Sequence, residues 1–244
     1  MDCTLNGCPN NRVTGKWTIL FPFFLTYRMK KKRFISSSSL LALLFVGFVA
    51  MYVNCSYVPE FNGIDISHHN RMDWKKIKAD EEIKFCYIKA TEGKSFRDPM
   101  CRKHAKRAHE NGLLVGLYHY FRTDVSAQQQ FENFKRVYDS VPSELIPVID
   151  VEENGNNFRN TTNLNDKLEQ LIALFEKEYD CKPIIYLGSF CCWKVIPTVY
   201  DCPIWLRFLK VYHFIPNTTI KQAAIVDNLD RNYCKDIDAI VLKK

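Results

Sequence analysis

The residues best suited to catalysis are two acids one residue apart, Asp150 and Glu152, which follow the apolar run 145–149. Side chains in a β-strand alternate, so both acids point to the same face, with roughly 6.6 Å of rise between them. Like charges in a poorly hydrated site push one pKa up, which suits general acid–base chemistry. For an isolated pair, a simpler interpretation is favoured, in which acids after a strand begin a loop or cap a helix. The choice between a catalytic pair and a loop or cap therefore depends on the rest of the chain.

Strand-like and helix-like segments alternate along residues 61–187, as in a parallel sheet with helical crossovers. The segment that starts at residue 164 is clearest, because its apolar residues recur at helical spacing. The pattern predicts strands at 62–66, 83–90, 114–121, 146–151, 184–187, 203–206, 222–226 and 237–242, and helices at 74–79, 101–111, 127–138 and 164–179.

A sheet of this kind is either doubly wound or closed into a barrel. Closure is favoured by about eight strands in one continuous domain, and by the lack of a Gly-rich dinucleotide turn after the first strand. We therefore predict an α/β fold, a modified TIM-like barrel of five β/α units followed by three strands, (β/α)5(β)3. Active sites of barrels lie at the carboxyl ends of the strands.

Acidic and aromatic residues stand at the predicted strand ends. They are Asp65, Glu92, Tyr118, Asp150 and Glu152, followed by Tyr186, Trp205 and Asp238. Acids can act on a glycosidic bond and rings can pack against sugar faces, so this composition is typical of a carbohydrate cleft.

Several motifs occur together in the same order as in one known family. They are Gly63-Ile64-Asp65-Ile66-Ser67-His68, Asp73-Trp74, Tyr87-Ile88-Lys89-Ala90-Thr91-Glu92-Gly93, Gly116-Leu117-Tyr118-His119-Tyr120-Phe121 and Asp150-Val151-Glu152. Over roughly residues 61–242 the chain thereby resembles the glycoside hydrolase family 25 lysozymes, which are N-acetylmuramidases. The resemblance implies a modified β/α barrel. It also implies hydrolysis of the β-1,4 bond between N-acetylmuramic acid and N-acetylglucosamine in peptidoglycan.

By position, the resemblance implies that Glu152 is the general acid and Asp150 its charged partner, with Asp65 as a third carboxylate. It also places Tyr118 beside the acids and Asp238 near the last strand. The substrate-binding set predicted from the strand ends and the resemblance is Tyr118, Glu92, Tyr186, Trp205 and Asp238. Retention of configuration is implied by the family. The spacing of the two acids alone leaves the stereochemistry open.

Some of these residues have structural interpretations that remain open. Lys89 and Glu92 are as well explained by a buried ion pair as by ligand contact. Trp205 suits the core as well as a sugar platform. His68 and His119 are predicted to be structural hydrogen-bonding residues, and Asp73 to cap the helix that follows it.

The last third of the chain departs from the family pattern. Ala223-Ala224-Ile225 stands where members carry Trp-Gln-Tyr, Ile240 where they carry an Asn two residues after the last-strand Asp, and Arg207 where they carry a small Ala. The departures indicate altered substrate contacts or a shifted alignment at that side. A non-catalytic peptidoglycan-binding or scaffold protein with the same barrel is the alternative function, and the presence of all three acids favours the enzyme.

The N-terminal part has the composition of an export signal. Residues 30–33 are basic and precede the apolar run 40–53. We interpret residues 1–28 as an over-extended, unstructured start, 29–55 as a signal peptide or membrane anchor, and 56–244 as the catalytic barrel. The predicted location is exported, either periplasmic or secreted, with residues 34–53 as a candidate anchor.

Charge and cysteine content narrow the partners. The formal charge is +7, of which residues 1–55 contribute +6 from seven Lys and Arg and one Asp, so the barrel is nearly neutral and nucleic-acid binding is not expected. No C-x-x-C pair or zinc-like His spacing occurs, so neither a metal nor a cofactor is predicted. The seven cysteines after residue 55 are expected to be mostly buried thiols with one or two bridges. The predicted partner is peptidoglycan, bound by a monomer, with membrane contact only through the N-terminal segment.

Overall fold

The computed structural model describes residues 61–188, 192–207, 217–226 and 228–243. The predicted leader and the over-extended start lie outside these residues. None of the helices within these residues combines the length and the apolar character needed to cross a bilayer.

Strands and helices alternate along most of this chain. The strands are β1 (Gly63–Ile66), β2 (Phe85–Glu92), β3 (Phe96–Arg97), β4 (Leu114–Tyr120), β5 (Val148–Val151), β6 (Ile184–Leu187), β7 (Ile204–Arg207), β8 (Thr218–Val226) and β9 (Leu229–Cys234). The helices are α1 (Trp74–Ala79), α2 (Cys101–Glu110), α3 (Ala127–Tyr138), α4 (Thr161–Tyr179) and α5 (Cys192–Val199), with a 3₁₀ helix at Asp238–Ile240.

The sheet closes on itself. Its strand order is β1-β9-β8-β7-β6-β5-β4-β2-β3, and an additional parallel pairing of β1 with β2 completes an eight-strand barrel, outside which the short β3 extends β2. Around the barrel, neighbouring strands are parallel from β1 through β2 and β4 to β8, whereas β9 is antiparallel to both β8 and β1. The short β3 is antiparallel to β2. Among the described residues, five barrel strands are each followed by an α-helix and three are not, which confirms the predicted (β/α)5(β)3 barrel.

Alternation along the strands separates two apolar regions. Side chains of one parity, such as Phe85, Tyr87 and Val148, fill the barrel interior, and those of the other parity, such as Cys86 and Ile88, pack against the helices. The inward parity of β2 and β5 continues to Lys89 and Asp150. The residues at the upper end of the interior are therefore polar although they belong to buried strands.

Two inward-facing glycines leave room for large rings inside the barrel. A Cβ on Gly63 would lie 2.1 Å from the ring of Phe85, and one on Gly116 would lie 2.1 Å from the ring of Tyr87. Because both rings are fully buried, they could not move away from an added side chain, so these two positions require glycine. Tyr87 in turn donates a hydrogen bond to the Ile146 carbonyl at 3.0 Å, which fixes the ring below the site.

The prediction of a last strand at 237–242 is wrong. The last strand is β9, which a turn with Asn228 in the left-handed region (φ 60°) joins to β8. The apolar character of 237–242 arises because Ile240 is buried in the lower end of the barrel, and Val241 forms an isolated bridge with Leu145. Helix α5 was not predicted, and Pro197 inside it weakens the helical pattern.

The residues expected to be structural have structural partners. His68 Nδ1 lies 2.7 Å from Asp98 Oδ2. His119 is buried, with its Nδ1 at 2.7 Å from Thr91 Oγ1 and its Nε2 at 3.1 Å from Gln130 Oε1. Burial lowers the pKa of His119 to about 4, so this ring is neutral near pH 7. Asp73 caps α1 by accepting from the amides of Lys75 and Lys76.

The cysteines whose side chains the structure describes are free thiols. Four of them are buried and the fifth, Cys181, is partly exposed; the buried ones are Cys86, Cys101, Cys202 and Cys234. Buried thiols are confirmed for this part of the chain, and the expected bridges do not occur among these five residues.

Candidate active site

A cavity of about 420 Å³ opens at the carboxyl ends of the parallel strands. Seven of the eight residues predicted for the site line it: Asp65, Glu92, Tyr118, Asp150, Glu152, Tyr186 and Trp205. They come from β1, β2, β4, β5, β6 and β7, so the closure of the barrel brings together residues that are far apart in sequence.

Asp150 and Glu152 lie at different depths of this cavity. Asp150 is on β5 and only 9% exposed, whereas Glu152 follows the end of β5 and its side chain is 23% exposed. Among the described residues, Asp150 Oδ1 is buried without a hydrogen-bond partner. Burial, and next the charge of Glu152, raise the pKa of Asp150 well above its usual value, and the charge of Lys89 opposes them.

Two more carboxylates lie side by side on the neighbouring strands of the barrel. Asp65 on β1 is paired in register with Asp230 on β9, and Asn232 donates a hydrogen bond of 2.8 Å to Asp65 Oδ2. Burial and then the charge of Asp230 raise the pKa of Asp65 to about 7, against the Asn232 hydrogen bond. Burial also raises the pKa of Asp230. With Glu92, the cavity therefore holds five carboxyl groups, and the pKa values of three of them, Asp65, Asp150 and Asp230, are shifted toward the protonated form.

Two cations of the cavity wall are bound to the same acid. Lys89 Nζ lies 2.7 Å from one oxygen of Glu92, and Arg122 lies 3.5 Å from the other. The Lys89 ammonium also lies 4.7 Å from the ring centre of Tyr120, within cation–π distance. Glu92 thus takes part in an ion pair and lines the cavity, so both interpretations of this residue describe part of its environment.

The floor of the cavity is aromatic and hydrogen-bonded. Trp205 is 2% exposed, packs against Tyr87 and Tyr186, and donates a hydrogen bond of 3.1 Å to Asn232. Tyr186 donates one of 2.8 Å to Gln222. These contacts place Trp205 in the core beneath the cavity, whereas Tyr118 is half-buried in the wall.

Asp238 is the predicted site residue that the structure places elsewhere. It begins the 3₁₀ helix after β9 and does not line the cavity, whereas Asp230 on β9 does. Asn232 follows Asp230 by two residues, so the Asp-x-Asn pattern sought at Asp238 is present eight residues earlier. Gln222 also lines the cavity and was missed. The signal for both was the alternation within β8 and β9, which the misplaced last strand concealed.

The raised pKa of Asp65 predicts a pH-dependent stability. Between pH 4 and 7 the unfolded chain loses the Asp65 proton while the folded protein keeps it, so this carboxyl stabilises the fold less as the pH rises. Asp65→Asn does not titrate. Its free energy of unfolding minus that of the wild type, from urea denaturation at both pH values, should increase from pH 4 to pH 7. Asp166→Asn, at an exposed position of α4, controls for the loss of a carboxyl. A decrease in the difference would contradict the prediction.

A mostly parallel barrel with acids and aromatic rings at the carboxyl ends of its strands fits a glycosidase built on a barrel. In agreement with this, the sequence profile of the glycosyl hydrolases family 25 matches residues 64–214. The chain belongs to this family. Within the described ranges, no group of three or more His, Cys, Asp or Glu side chains is arranged to hold a metal ion.

Several individual proteins are similar to this chain. A family 25 glycosyl hydrolase from Bacillus anthracis superposes with a TM-score of 0.62 at 26% identity, over 74% of this chain and 92% of that one. The uncharacterized protein YegX of Escherichia coli K12 is 35% identical over 145 residues, 57% of this chain and 52% of YegX. The chain thus spans about half the length of YegX. Lysozyme M1 of Streptomyces globisporus is 35% identical over 66 residues, 27% of this chain and 22% of that protein.

Proposed function

We propose that the protein is a lysozyme-type glycosidase that hydrolyses the β-1,4 bond between N-acetylmuramic acid and N-acetylglucosamine in peptidoglycan. The observation that carries the proposal is the pair of acids at different depths of one cavity, in a barrel of family 25. The 35% identity to a segment of lysozyme M1 supports a cell-wall glycan as the substrate.

Glu152 is proposed as the general acid. Its side chain is at the mouth of the cavity, where it can reach the oxygen of a bound glycosidic linkage. Protonation of that oxygen lets the carbon–oxygen bond break, with positive charge developing on the anomeric carbon. Water then attacks this carbon, and the proton lost from the water returns to Glu152.

Asp150 is proposed as the charged partner that stabilises this positive charge. Burial and next the charge of Glu152 raise the pKa of Asp150 and so favour its protonated form, with Lys89 opposing. A cationic sugar beside Asp150 favours the ionised form, so the carboxylate interacts more strongly with the transition state than with the ground state. Asp65 is the third carboxylate of the proposed machinery, oriented by Asn232.

The route through the anomeric centre is proposed to use the substrate itself. In this route the acetamido oxygen of the sugar attacks the anomeric carbon as the protonated leaving oxygen departs, and Asp150 stabilises the resulting cationic ring. The water then attacks the same carbon and opens this ring. Detection of a sugar covalently trapped on Asp150 would instead make Asp150 the nucleophile.

The remaining parts of the proposal concern binding and location. Tyr118, Glu92 and Tyr186 contact the glycan, Trp205 supports the floor, and Asp230 takes the place first given to Asp238. The protein acts as a monomer and is exported to the periplasm or the medium. Residues 29–55 serve as its signal peptide or, through 34–53, as its membrane anchor.

The test is digestion of purified peptidoglycan, followed by borohydride reduction and analysis of the fragments. Cleavage at the proposed bond creates new reducing ends on muramic acid, which appear as muramitol. Glucosaminitol at the new ends would show cleavage of the other glycosidic bond. Binding without any new reducing end would show that the barrel binds the wall and does not cut it.

A further inference from the structure

Arg207 is a cation at the mouth of the cavity that the proposed chemistry has not used. It is the last residue of β7 and lies two positions after Trp205, so both side chains point into the barrel. Its side chain is 44% exposed and lines the cavity. Its guanidinium lies 3.7 Å from Glu152 Oε1.

The partner of Arg207 distinguishes it from the other cations of the cavity. Lys89 and Arg122 both contact Glu92, which has no part in the proposed proton transfer. Arg207 instead faces the proposed general acid. Within the described residues, Arg207 is therefore the cavity cation whose carboxyl partner changes its charge during the reaction, as Glu152 donates and then recovers a proton.

The contact with Glu152 leaves Arg207 free to bind another anion. At 3.7 Å the pair is longer than a hydrogen bond, and a partly exposed ion pair of this kind is weak. The guanidinium carries five N–H donors in a planar fork that matches a carboxylate, and it stays charged at every relevant pH. When Glu152 takes up a proton, Arg207 keeps its charge and loses its counterion.

We propose that Arg207 is a specificity-determining residue that binds a carboxylate of the glycan substrate in exchange for Glu152. This inference rests on the proposed function. The substrate carboxylate binds the guanidinium, and the released Glu152, which is partly exposed, takes up from solvent the proton that it then donates to the leaving oxygen. In a peptidoglycan strand the carboxylate comes either from the lactyl group of a muramic acid without its peptide or from the attached peptide.

A purely electrostatic role is the competing explanation. Arg207 is near enough to Asp65 and Asp230 to favour their ionised forms, which opposes the upward shift of both pKa values. Removing a charge that acts only in this way would change activity equally on charged and uncharged substrates. The response to the substrate's own carboxylate therefore separates the two roles.

The experiment compares the wild type with Arg207→Ala, Arg207→Lys and Arg107→Ala. Arg107 forms a surface pair with Glu110 on α2, so Arg107→Ala removes the same charge and an Arg–Glu contact outside the cavity. The substrates are glycan strands with intact peptides, strands from which the peptides have been removed, and the latter with their lactyl carboxylates converted to methylamides. Rates over a range of substrate concentrations give kcat and KM for each combination of enzyme and substrate, and the measurements are repeated at several pH values.

The wild type should cleave strands with free carboxylates with a kcat/KM about 10-fold or more above that for the methylamides, as one charged hydrogen-bonded contact provides. Arg207→Ala should abolish this preference, mainly through KM, Arg207→Lys should restore part of it, and Arg107→Ala should keep it. If the peptide is the source of the carboxylate, the wild type should instead prefer strands with intact peptides over the methylamides. Arg207→Ala should then lose that preference.

An equal loss in Arg207→Ala on all three substrates would overturn the inference in favour of the electrostatic role. If the wild type cleaves none of them, the proposed function fails. In that case calorimetric binding of the peptide-free strands and their methylamides, to the wild type and to Arg207→Ala, still tests carboxylate recognition. Equal binding of the two ligands by the wild type would overturn it.

Discussion

Glu152→Gln should lower kcat for peptidoglycan cleavage by about 10²–10⁴-fold, the usual contribution of a general acid. Gln has nearly the same shape as Glu and carries no transferable proton, so the glycosidic oxygen must leave without protonation. The fold should be unaffected, because the side chain is at the mouth of the cavity and its contact with Arg207 is a partly exposed ion pair. KM should change little if Glu152 contributes mainly to the chemical step.

The measurement is the rate at which new reducing ends form, with melting temperature as the check on folding. Glu153→Gln is the matched control, since Glu153 is the next residue, is exposed and does not line the cavity. This control should retain wild-type activity. If Glu152→Gln folds and keeps more than about a tenth of wild-type kcat, another group must protonate the leaving oxygen.

Much of the barrel was predictable because local patterns determined it. The helical stripe of α4 and the apolar runs of β2, β4 and β5 depend on neighbours that are close in sequence. Once the strands are parallel and closed, their carboxyl ends meet at one end of the barrel. The convergence of Asp65, Tyr118 and Asp150 therefore followed from topology and alternation, before any distance was known.

The last strands were harder because they interrupt this pattern. β9 runs antiparallel to both neighbours and returns through a tight turn at Asn228, with no helix to separate it from β8. The run at 237–242 is more apolar than β9, yet it is apolar because Ile240 closes the lower end of the barrel. The apolar pattern therefore places the last-strand acid at Asp238 and does not indicate Asp230.

The pairing of charged side chains in the site could not be predicted from the sequence either. Nothing in the spacing of Lys89, Glu92 and Arg122 indicates that one acid holds two cations, since Arg122 arrives from the loop after β4. The contact between Arg207 and Glu152 likewise joins the ends of two strands that are not neighbours in the sheet. Such pairs depend on the curvature of the closed barrel.

Asp150→Asn should change activity and stability in opposite directions. The variant removes the carboxylate proposed to stabilise the developing positive charge, and kcat should fall by about 10²–10³-fold, as when a preorganised electrostatic group is lost. The same carboxyl is buried, has one oxygen without a hydrogen-bond partner among the described residues, and has a raised pKa. Folding at pH 7 must therefore either bury its charge or bind a proton, and both are unfavourable.

Asn removes this charge while keeping the shape of the side chain, so the free energy of unfolding at pH 7 should increase by about 0.5–2 kcal/mol, a typical gain when a functional group under strain is replaced. The gain should shrink toward pH 4, where the unfolded state also binds the proton. Urea denaturation at both pH values and the reducing-end assay measure the two effects on the same preparations. A variant that loses both activity and stability would show that the Asp150 carboxylate holds the barrel together, and the proposed charged partner would have to be sought in Asp65.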